Sequence, residues 1–155
     1  MLNSLTNSIT LYLVAAVPWR VKRMPKILII EDSVLMRSIS REHLENSGFT
    51  VEDFLPESVP ELVNCLKRSQ PDLVLSDFNM PRVDGAEVAR TVRMISPKIP
   101  VIILTSNRDA TRDAQLKIVG VRKILHKPIK GEDLVAAVRD VVPEDPTGGH
   151  TKKPA

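Results

Sequence analysis

Residues 72 to 85, Asp72-Leu-Val-Leu-Ser-Asp-Phe-Asn-Met-Pro-Arg-Val-Asp-Gly85, form the segment that decides the fold. The apolar run from Leu73 to Leu75 predicts a strand buried on both faces, because no polar residue alternates within it. Asp77 follows this run, and Pro81 and Gly85 then interrupt regular structure, which predicts a loop. We therefore expect the Asp77 carboxylate at the carboxyl end of a parallel strand, where ligands bind in open sheets. A carboxylate in that position is interpreted as a nucleophile or a metal ligand.

The composition indicates one globular domain. The chain has 155 residues, of which 43% are hydrophobic, enough for a three-layer core. A single cysteine, Cys65, excludes a disulfide framework and favours a cytoplasmic location. Residues 1–23 hold three of the 22 basic residues and none of the 19 acidic ones, so the rest of the chain is neutral. A neutral body has no electrostatic reason to bind nucleic acid.

Both ends of the chain differ from its centre. The apolar run from Ile9 to Val17 is shorter than the roughly 20 residues that span a bilayer, so we expect no stable membrane insertion. Its positive charges follow the run, unlike those of a secretory signal. We interpret residues 1–23 as a disordered or non-native extension; the alternative is an interfacial helix that touches membrane through Trp19. Residues 143–155 have no apolar anchor and are expected to be disordered.

Strand and helix patterns alternate five times over residues 24–142. The strands are predicted at residues 26–30, 50–54, 73–75, 101–104 and 123–126. A helix pattern follows each strand, and the second strand, which is half polar, is expected at an edge. This alternation predicts a doubly wound α/β fold with a parallel sheet of order 2-1-3-4-5 and helices on both faces.

The helix patterns also predict which side chains face the sheet. In the first helix, residues 34–46, we expect Leu35, Met36, Ile39 and His43 to face inward and Arg37, Arg41 and Glu45 to face outward. Cys65 of the second helix is expected at the margin of the core. The fourth helix, residues 109–119, has a thin apolar face, so we expect it to be the most loosely held element.

Chemically active residues stand directly after four of the strands. They are Glu31 and Asp32, then Asp77, then Thr105, then Lys127. The carboxyl ends of parallel strands share one edge of the sheet, so these residues should converge. At about 4 Å each pair of carboxylates repels by roughly 4 kcal/mol at an effective dielectric near 20. Lys127 supplies one positive charge. A divalent cation would supply the remaining positive charge, and an all-oxygen site suits Mg²⁺ or Mn²⁺.

This arrangement has the parts needed for phosphoryl transfer to a carboxylate. Asp77 is the predicted nucleophile, and a cation held by Glu31 and Asp32 is expected to neutralise developing negative charge. Lys127 and the Thr105 hydroxyl are expected to bind the phosphoryl oxygens.

Together these motifs resemble the receiver domain of two-component response regulators, of the single-domain CheY-like type. The resemblance rests on Ile-Ile-Glu31-Asp32-Ser, Leu-Ser-Asp77-Phe-Asn-Met-Pro-Arg-Val-Asp-Gly85, Leu-Thr105-Ser106 and Lys127-Pro128. It covers residues 24–142 and implies a (βα)5 flavodoxin-like sandwich.

The resemblance assigns roles to these residues. Asp77 is expected to accept a phosphoryl group from a phosphohistidine on a sensor histidine kinase or a histidine phosphotransferase, and later to lose it by autodephosphorylation. Mg²⁺ is expected on Glu31, Asp32, Asp77 and the backbone carbonyl of Asn79. The Lys127–Pro128 bond is expected to be cis, as only proline readily permits.

One position departs from the family pattern. Ile124 stands where the family places an aromatic residue that pairs with Thr105. The family's usual conformational switch from this threonine to the aromatic side chain is therefore in doubt. We expect a modest switch carried by loop motion. Asn79 and Asn107, two residues beyond Asp77 and Thr105, flank the expected path of hydrolytic water and should tune the phosphate lifetime, with Ser106 between Thr105 and Asn107.

We expect a stand-alone regulator that signals through protein contacts, because no second domain follows Val142 in this chain. The expected output surface is formed by the fourth helix, fifth strand and fifth helix. Its candidate contact residues are Arg108, Arg112, Lys117, Arg122 and Ile124.

Two other classes of protein fit parts of the pattern. A dehalogenase-like aspartyl-phosphate hydrolase would have an acid two residues after its nucleophile, where this chain has Asn79. A flavodoxin-like mononucleotide binder would have a hydroxyl- and glycine-rich loop after its first strand, where Glu31 and Asp32 would repel phosphate.

Overall fold

The computed structural model describes residues 23–142, so the predictions for residues 1–22 and 143–155 lie outside the described residues. Arg23, which we assigned to the extension, forms an ion pair of 2.6 Å with Asp72. The strands are β1 Lys26–Ile30, β2 Thr50–Asp53, β3 Leu73–Asp77, β4 Val101–Thr105 and β5 Lys123–His126. The helices are α1 Val34–Asn46, α2 Val59–Ser69, α3 Gly85–Ile95, α4 Ala110–Ile118 and α5 Gly131–Val141.

The five strands form one parallel sheet in the predicted order β2-β1-β3-β4-β5. Leu75 of β3 lies opposite Ile29 of β1 on one side and Ile102 of β4 on the other. All five residues of β3 and of β4 are buried, whereas β2 at the edge is partly exposed. The apolar runs therefore mark the central strands, and the half-polar run marks the edge, as predicted.

Helices cover both faces of the sheet and create two apolar layers. Alternate residues of β1 point to opposite sides: Leu28 packs in the layer under α2, α3 and α4, and Ile29 packs in the layer under α1 and α5. Both side chains are at most 2% exposed. Full burial of such a side chain contributes about 1.5–3 kcal/mol, so these layers hold the strand ends in place.

The predicted orientation of α1 is wrong for most of the residues named, although Met36 is half-buried and Glu45 is exposed as predicted. Val34 and Leu35 are each 67% exposed and Ile39 is 40% exposed, while Ser40 and Leu44 are buried. His43, predicted to face inward, is also exposed.

The physical reason is a polar partner on β2. The guanidinium groups of Arg37 and Arg41, predicted to face outward, both pair with the carboxylate of Asp53. Arg37, Ser40, Arg41 and Leu44 have the i, i+3, i+4, i+7 spacing of one helix face. That face is partly polar, so hydrophobic spacing alone could not identify it.

Two further predictions concern side-chain burial in α2 and α4. Cys65 is 1% exposed and belongs to the core, so its predicted place at the core margin is wrong. Leu116 is the single buried residue of α4, which is consistent with the thin apolar face predicted for that helix.

Candidate functional site

Asp77, the last residue of β3, is held firmly at the centre of the sheet edge. It is only 7% exposed. The backbone N–H of Phe78 donates to the carbonyl of Leu104 at 2.8 Å, which extends the contact between β3 and β4 beyond Asp77. The hydroxyl of the preceding Ser76 donates to the Asp77 carbonyl at 2.8 Å. The two hydrogen bonds therefore fix the peptide unit that follows this carboxylate.

Glu31, Asp32 and Asp77 lie together at this edge. One carboxylate oxygen from each residue lies within 4.8 Å of the others. Glu31 is 3% exposed, whereas Asp32 is open to solvent. The fold thus gathers the three carboxylates predicted from the strand ends, with one of them at the mouth of the site.

Hydrogen bonds from Ser33 and Arg37 hold Glu31 in the loop after β1. The backbone N–H of Ser33 donates to Glu31 Oε1 at 3.0 Å, and Ser33 also caps α1 through its hydroxyl. Arg37 Nη1 donates to the backbone carbonyl of Glu31 at 2.8 Å. Because Arg37 also pairs with Asp53, it ties the acidic loop to the edge strand β2.

The Lys127 ammonium group contacts two buried carboxylates, that of Asp77 at the end of β3 and that of Glu31 directly after β1. Its Nζ lies 3.0 Å from Asp77 Oδ1 and 3.2 Å from Glu31 Oε2. Burial lowers the pKa of Lys127, but the bonds and charges of Asp77 and Glu31 outweigh this effect and leave the pKa raised. The Lys127 N–H donates to the Thr105 carbonyl at 2.8 Å, and the Lys127–Pro128 peptide bond is cis.

Negative charge exceeds positive charge among the residues at this site. Burial raises the pKa of Glu31, and the charge of Asp77 raises it further, although the Ser33 N–H and Lys127 act in the opposite direction. Three carboxylates against one ammonium group leave an all-oxygen cluster that favours a hard divalent cation. Glu31, Asp32 and Asp77 therefore fit Mg²⁺ by their chemistry and spacing.

The remaining predicted residues lie in strands β4 and β5 and in the loops after β3 and β4. The Thr105 side chain is fully buried, and its Oγ1 accepts a hydrogen bond of 3.2 Å from the backbone N–H of Asn107. Asn79, Ser106 and Asn107 are exposed at the mouth of the site. Ile124 is half-buried and packs against the apolar layer under α2, α3 and α4.

Gly85 is a functional position that we had read only as a break in regular structure. A Cβ atom there would lie 2.8 Å from the Phe78 Cα and 3.0 Å from the Asp77 carbonyl oxygen. The Gly85 N–H donates to the Phe78 carbonyl at 2.9 Å. Only glycine allows the start of α3 to pack this closely against the backbone that carries Asp77.

Arg112 was predicted as a surface contact, yet it lies against the site. Its guanidinium carbon is 4.6 Å from the centroid of the Phe78 ring, and Nη2 donates to the Asn107 carbonyl. An arginine in the first turn of a helix carries no sequence signal for such a contact, because the aromatic partner belongs to another loop.

Exposed apolar side chains adjoin the acidic loop. Val34, Leu35 and Ile39, which we call the α1 apolar surface, lie in the first two turns of α1, which begins after Asp32 and Ser33. Clusters of exposed apolar residues of this kind indicate contact with a partner. Within residues 23–142, no helix has the length and apolar character needed to cross a membrane.

Comparisons with known proteins show which family this chain resembles. The sequence profile of the response regulator receiver domain matches residues 27–139. Response regulator MprA of Mycobacterium sp. (strain KMS) is 31% identical over 114 residues, which are 74% of this chain and 49% of that protein. MprA of Mycobacterium avium (strain 104) is 30% identical over 77% of this chain and 54% of its own length. The chain spans about half the length of these curated relatives.

Solved structures show the same fold. Chemotaxis protein CheY4 of Vibrio cholerae is 29% identical with a TM-score of 0.71, over 77% of this chain and 99% of that one. The response regulator domain of Thermotoga maritima CheB is 22% identical with a TM-score of 0.68, over 80% of this chain and 100% of that one. At this level of identity the comparison shows the fold alone.

Proposed function

This chain belongs to the response regulator receiver domain family, and we propose that Asp77 accepts a phosphoryl group from a phosphohistidine with the help of Mg²⁺. The phosphodonor is a sensor histidine kinase or a histidine phosphotransferase, and the cytoplasm is the proposed location. The contact that carries this proposal is that of the Lys127 ammonium group with both Asp77 and Glu31. The proposed acceptor is Asp77, because it ends the central strand β3 and contacts the ammonium group that would bind a phosphoryl oxygen.

The proposed step forms one bond and breaks one bond. An Asp77 carboxylate oxygen attacks phosphorus, the bond from phosphorus to the donor's imidazole nitrogen breaks, and that nitrogen keeps the electron pair and takes up a proton. Lys127 holds the carboxylate and then a phosphoryl oxygen, and the Thr105 hydroxyl donates to a second oxygen. Glu31, Asp32, Asp77 and the Asn79 carbonyl would hold Mg²⁺, whose positive charge would offset the negative charge of the phosphoryl oxygens.

The α1 apolar surface supports a protein as the phosphodonor. Val34 and Leu35 are each 67% exposed, and they stand one turn from Asp32 at the mouth of the site. Docking of a partner on this surface would bury these side chains and bring its phosphohistidine over Asp77.

We propose that the signal leaves through the surface of α4, β5 and α5. Arg108, Lys117 and Arg122 are exposed there and can contact a partner. Arg112 and Ile124 are half-buried, so they are weaker candidates for direct contact than we expected. Phosphorylation would change this surface only if the acyl phosphate interacts differently with two conformations of the domain.

Incubation of the protein with acetyl phosphate and Mg²⁺, followed by intact mass spectrometry, tests the proposal. We expect the mass of one phosphoryl group, its removal by mild base, and its absence when a chelator is present. Asp77→Asn should stay unmodified, whereas Asp84→Asn, a change in the cap of α3, should be modified. An unmodified wild-type protein, or equal modification of Asp77→Asn, would contradict the proposal.

A further inference from the structure

Arg112 contacts both loops that frame Asp77. It lies in the first turn of α4, and its side chain is 15% exposed. Its guanidinium stacks 4.6 Å from the Phe78 ring centroid, and Phe78 is the residue after Asp77. Its Nη2 donates to the backbone carbonyl of Asn107 at 2.5 Å. One side chain of α4 is thus attached to the loop after β3 and to the loop after β4.

A short chain of hydrogen bonds connects Arg112 to the Thr105 hydroxyl. The Asn107 N–H donates to Thr105 Oγ1 at 3.2 Å, and the carbonyl of the same residue accepts from Arg112. A change in the position of the buried Thr105 hydroxyl therefore moves the backbone that Arg112 holds. Ile124 offers no comparable path, because its side chain has no hydrogen-bonding group and packs into the apolar layer.

Several polar atoms around Arg112 are incompletely paired, and α4 has a thin apolar contact with the core. Within residues 23–142, Arg112 Nε, Asp113 Oδ1 and His126 Nε2 are buried without an aligned hydrogen-bond partner. His126 Nε2 lies 3.1 Å from Asp113 Oδ2, close enough for an ion pair but without hydrogen-bond alignment. Leu116 is the single fully buried side chain of the helix. Incompletely paired polar atoms and a thin apolar contact allow an element to have two arrangements of similar free energy.

We propose that Arg112 is the positioning residue that couples the Thr105 hydroxyl and the segment after Asp77 to helix α4. The coupling rests on the proposed phosphorylation of Asp77. When the Thr105 hydroxyl turns to donate to a phosphoryl oxygen, the Asn107 backbone follows it. Arg112 keeps its bond to the Asn107 carbonyl, moves over the Phe78 ring, and displaces the first turn of α4. This path takes the place of an aromatic side chain at position 124.

Backbone amide NMR spectra recorded with and without Mg²⁺ and beryllofluoride test the coupling. We expect the wild-type amides of residues 111–119 to shift when the phosphoryl mimic binds. In Arg112→Met those shifts should fall to about half or less, while the amides around Asp77 and Lys127 still respond. Arg112→Lys should restore part of the α4 response, because it keeps the charge over Phe78 and loses the planar fork. The control is Arg90→Met, a change at an exposed arginine of α3 for which residues 23–142 provide no ion pair, and it should behave as wild type.

Three results would overturn the coupling. The first is an α4 response in Arg112→Met as large as in the wild type, and the second is a wild-type α4 that does not respond while the amides around Asp77 do. The third result concerns Phe78→Leu, which removes the stacking ring and can be used if Arg112→Met does not fold. We expect this variant to have a weaker α4 response, and a response equal to that of the wild type would contradict the coupling. A wild-type protein that takes neither acetyl phosphate nor beryllofluoride would instead refute the proposed function, and the coupling with it.

Discussion

The Nζ atom of Lys127 lies 3.0 Å from Oδ1 of Asp77; Asp77 is the last residue of β3, and Lys127 directly follows β5. The same ammonium group lies 3.2 Å from Glu31 Oε2. Removal of one partner from a buried charge pair leaves the other charge uncompensated, which costs more than the pair itself contributes. Lys127 is therefore the cation on which the buried part of the site depends.

Lys127→Met should slow phosphorylation of Asp77 by acetyl phosphate on the order of tenfold to a hundredfold, because a donor to the phosphoryl oxygens is lost. The rate is measured by intact mass spectrometry over time. Lys123→Met, at the start of the same strand, removes a lysine whose partner is the exposed Asp140 and should leave the rate unchanged. Equal rates for the Lys127 variant and the wild type would show that Lys127 has no part in the transfer.

Asp32→Asn should weaken Mg²⁺ binding by roughly tenfold or more, because one of three negative ligands loses its charge. Isothermal titration calorimetry with MgCl₂ measures the dissociation constant. Glu42→Gln removes an exposed carboxylate of α1 that lies outside this cluster, so it should bind Mg²⁺ as the wild type does. The predicted metal site would be wrong if both variants lost affinity to the same extent.

Gly85→Ala should destabilise the fold by about 1–3 kcal/mol and also slow phosphorylation, because the new Cβ would push against the backbone of Phe78 and Asp77. Urea unfolding followed by circular dichroism gives the free energy of unfolding, and intact mass gives the phosphorylation rate.

Gly120→Ala provides the matched control for Gly85→Ala. Gly120 has a φ of +102° and faces the flexible side chain of Arg93, far from the strand ends that carry Asp77. Its replacement should lower the free energy of unfolding yet leave the phosphorylation rate intact. If both variants slowed phosphorylation equally, general instability rather than displacement of Asp77 would explain the effect.

The Cys65 thiol should resist alkylation in the folded protein. Burial raises its pKa, the charge of Glu52 adds to the rise, and Arg68 opposes it. A raised pKa means a smaller thiolate fraction at a given pH, so alkylation by iodoacetamide at about pH 8 should be at least roughly a hundredfold slower than in urea-unfolded protein. The chain has no other cysteine, so intact mass reports this site alone. Similar rates in the folded and unfolded protein would show that Cys65 is accessible.

The positions of the strands could be predicted from local patterns, and the order of the sheet from the general rules for alternating strands and helices. The runs that became β3 and β4 contain consecutive apolar residues, and a strand buried on both faces requires them. The orientation of α1 could not be predicted in the same way. Its inner face includes Arg37 and Arg41, and their partner Asp53 belongs to another element, so no pattern within the helix reveals the pairing.

By itself, the sequence determined which chemical groups stand at the carboxyl ends of four of the five strands: Glu31 and Asp32, Asp77, Thr105 and Lys127. Parallel strands with right-handed crossovers bring their carboxyl ends to one edge, and this general rule sufficed to place those groups near one another. Only the tertiary structure decided that Lys127 lies between Asp77 and Glu31, that Gly85 packs on the Asp77 backbone, and that Arg112 reaches Phe78. Those contacts depend on the directions of side chains from different loops, which are set by how the helices pack on the sheet and not by the spacing of residues along the chain.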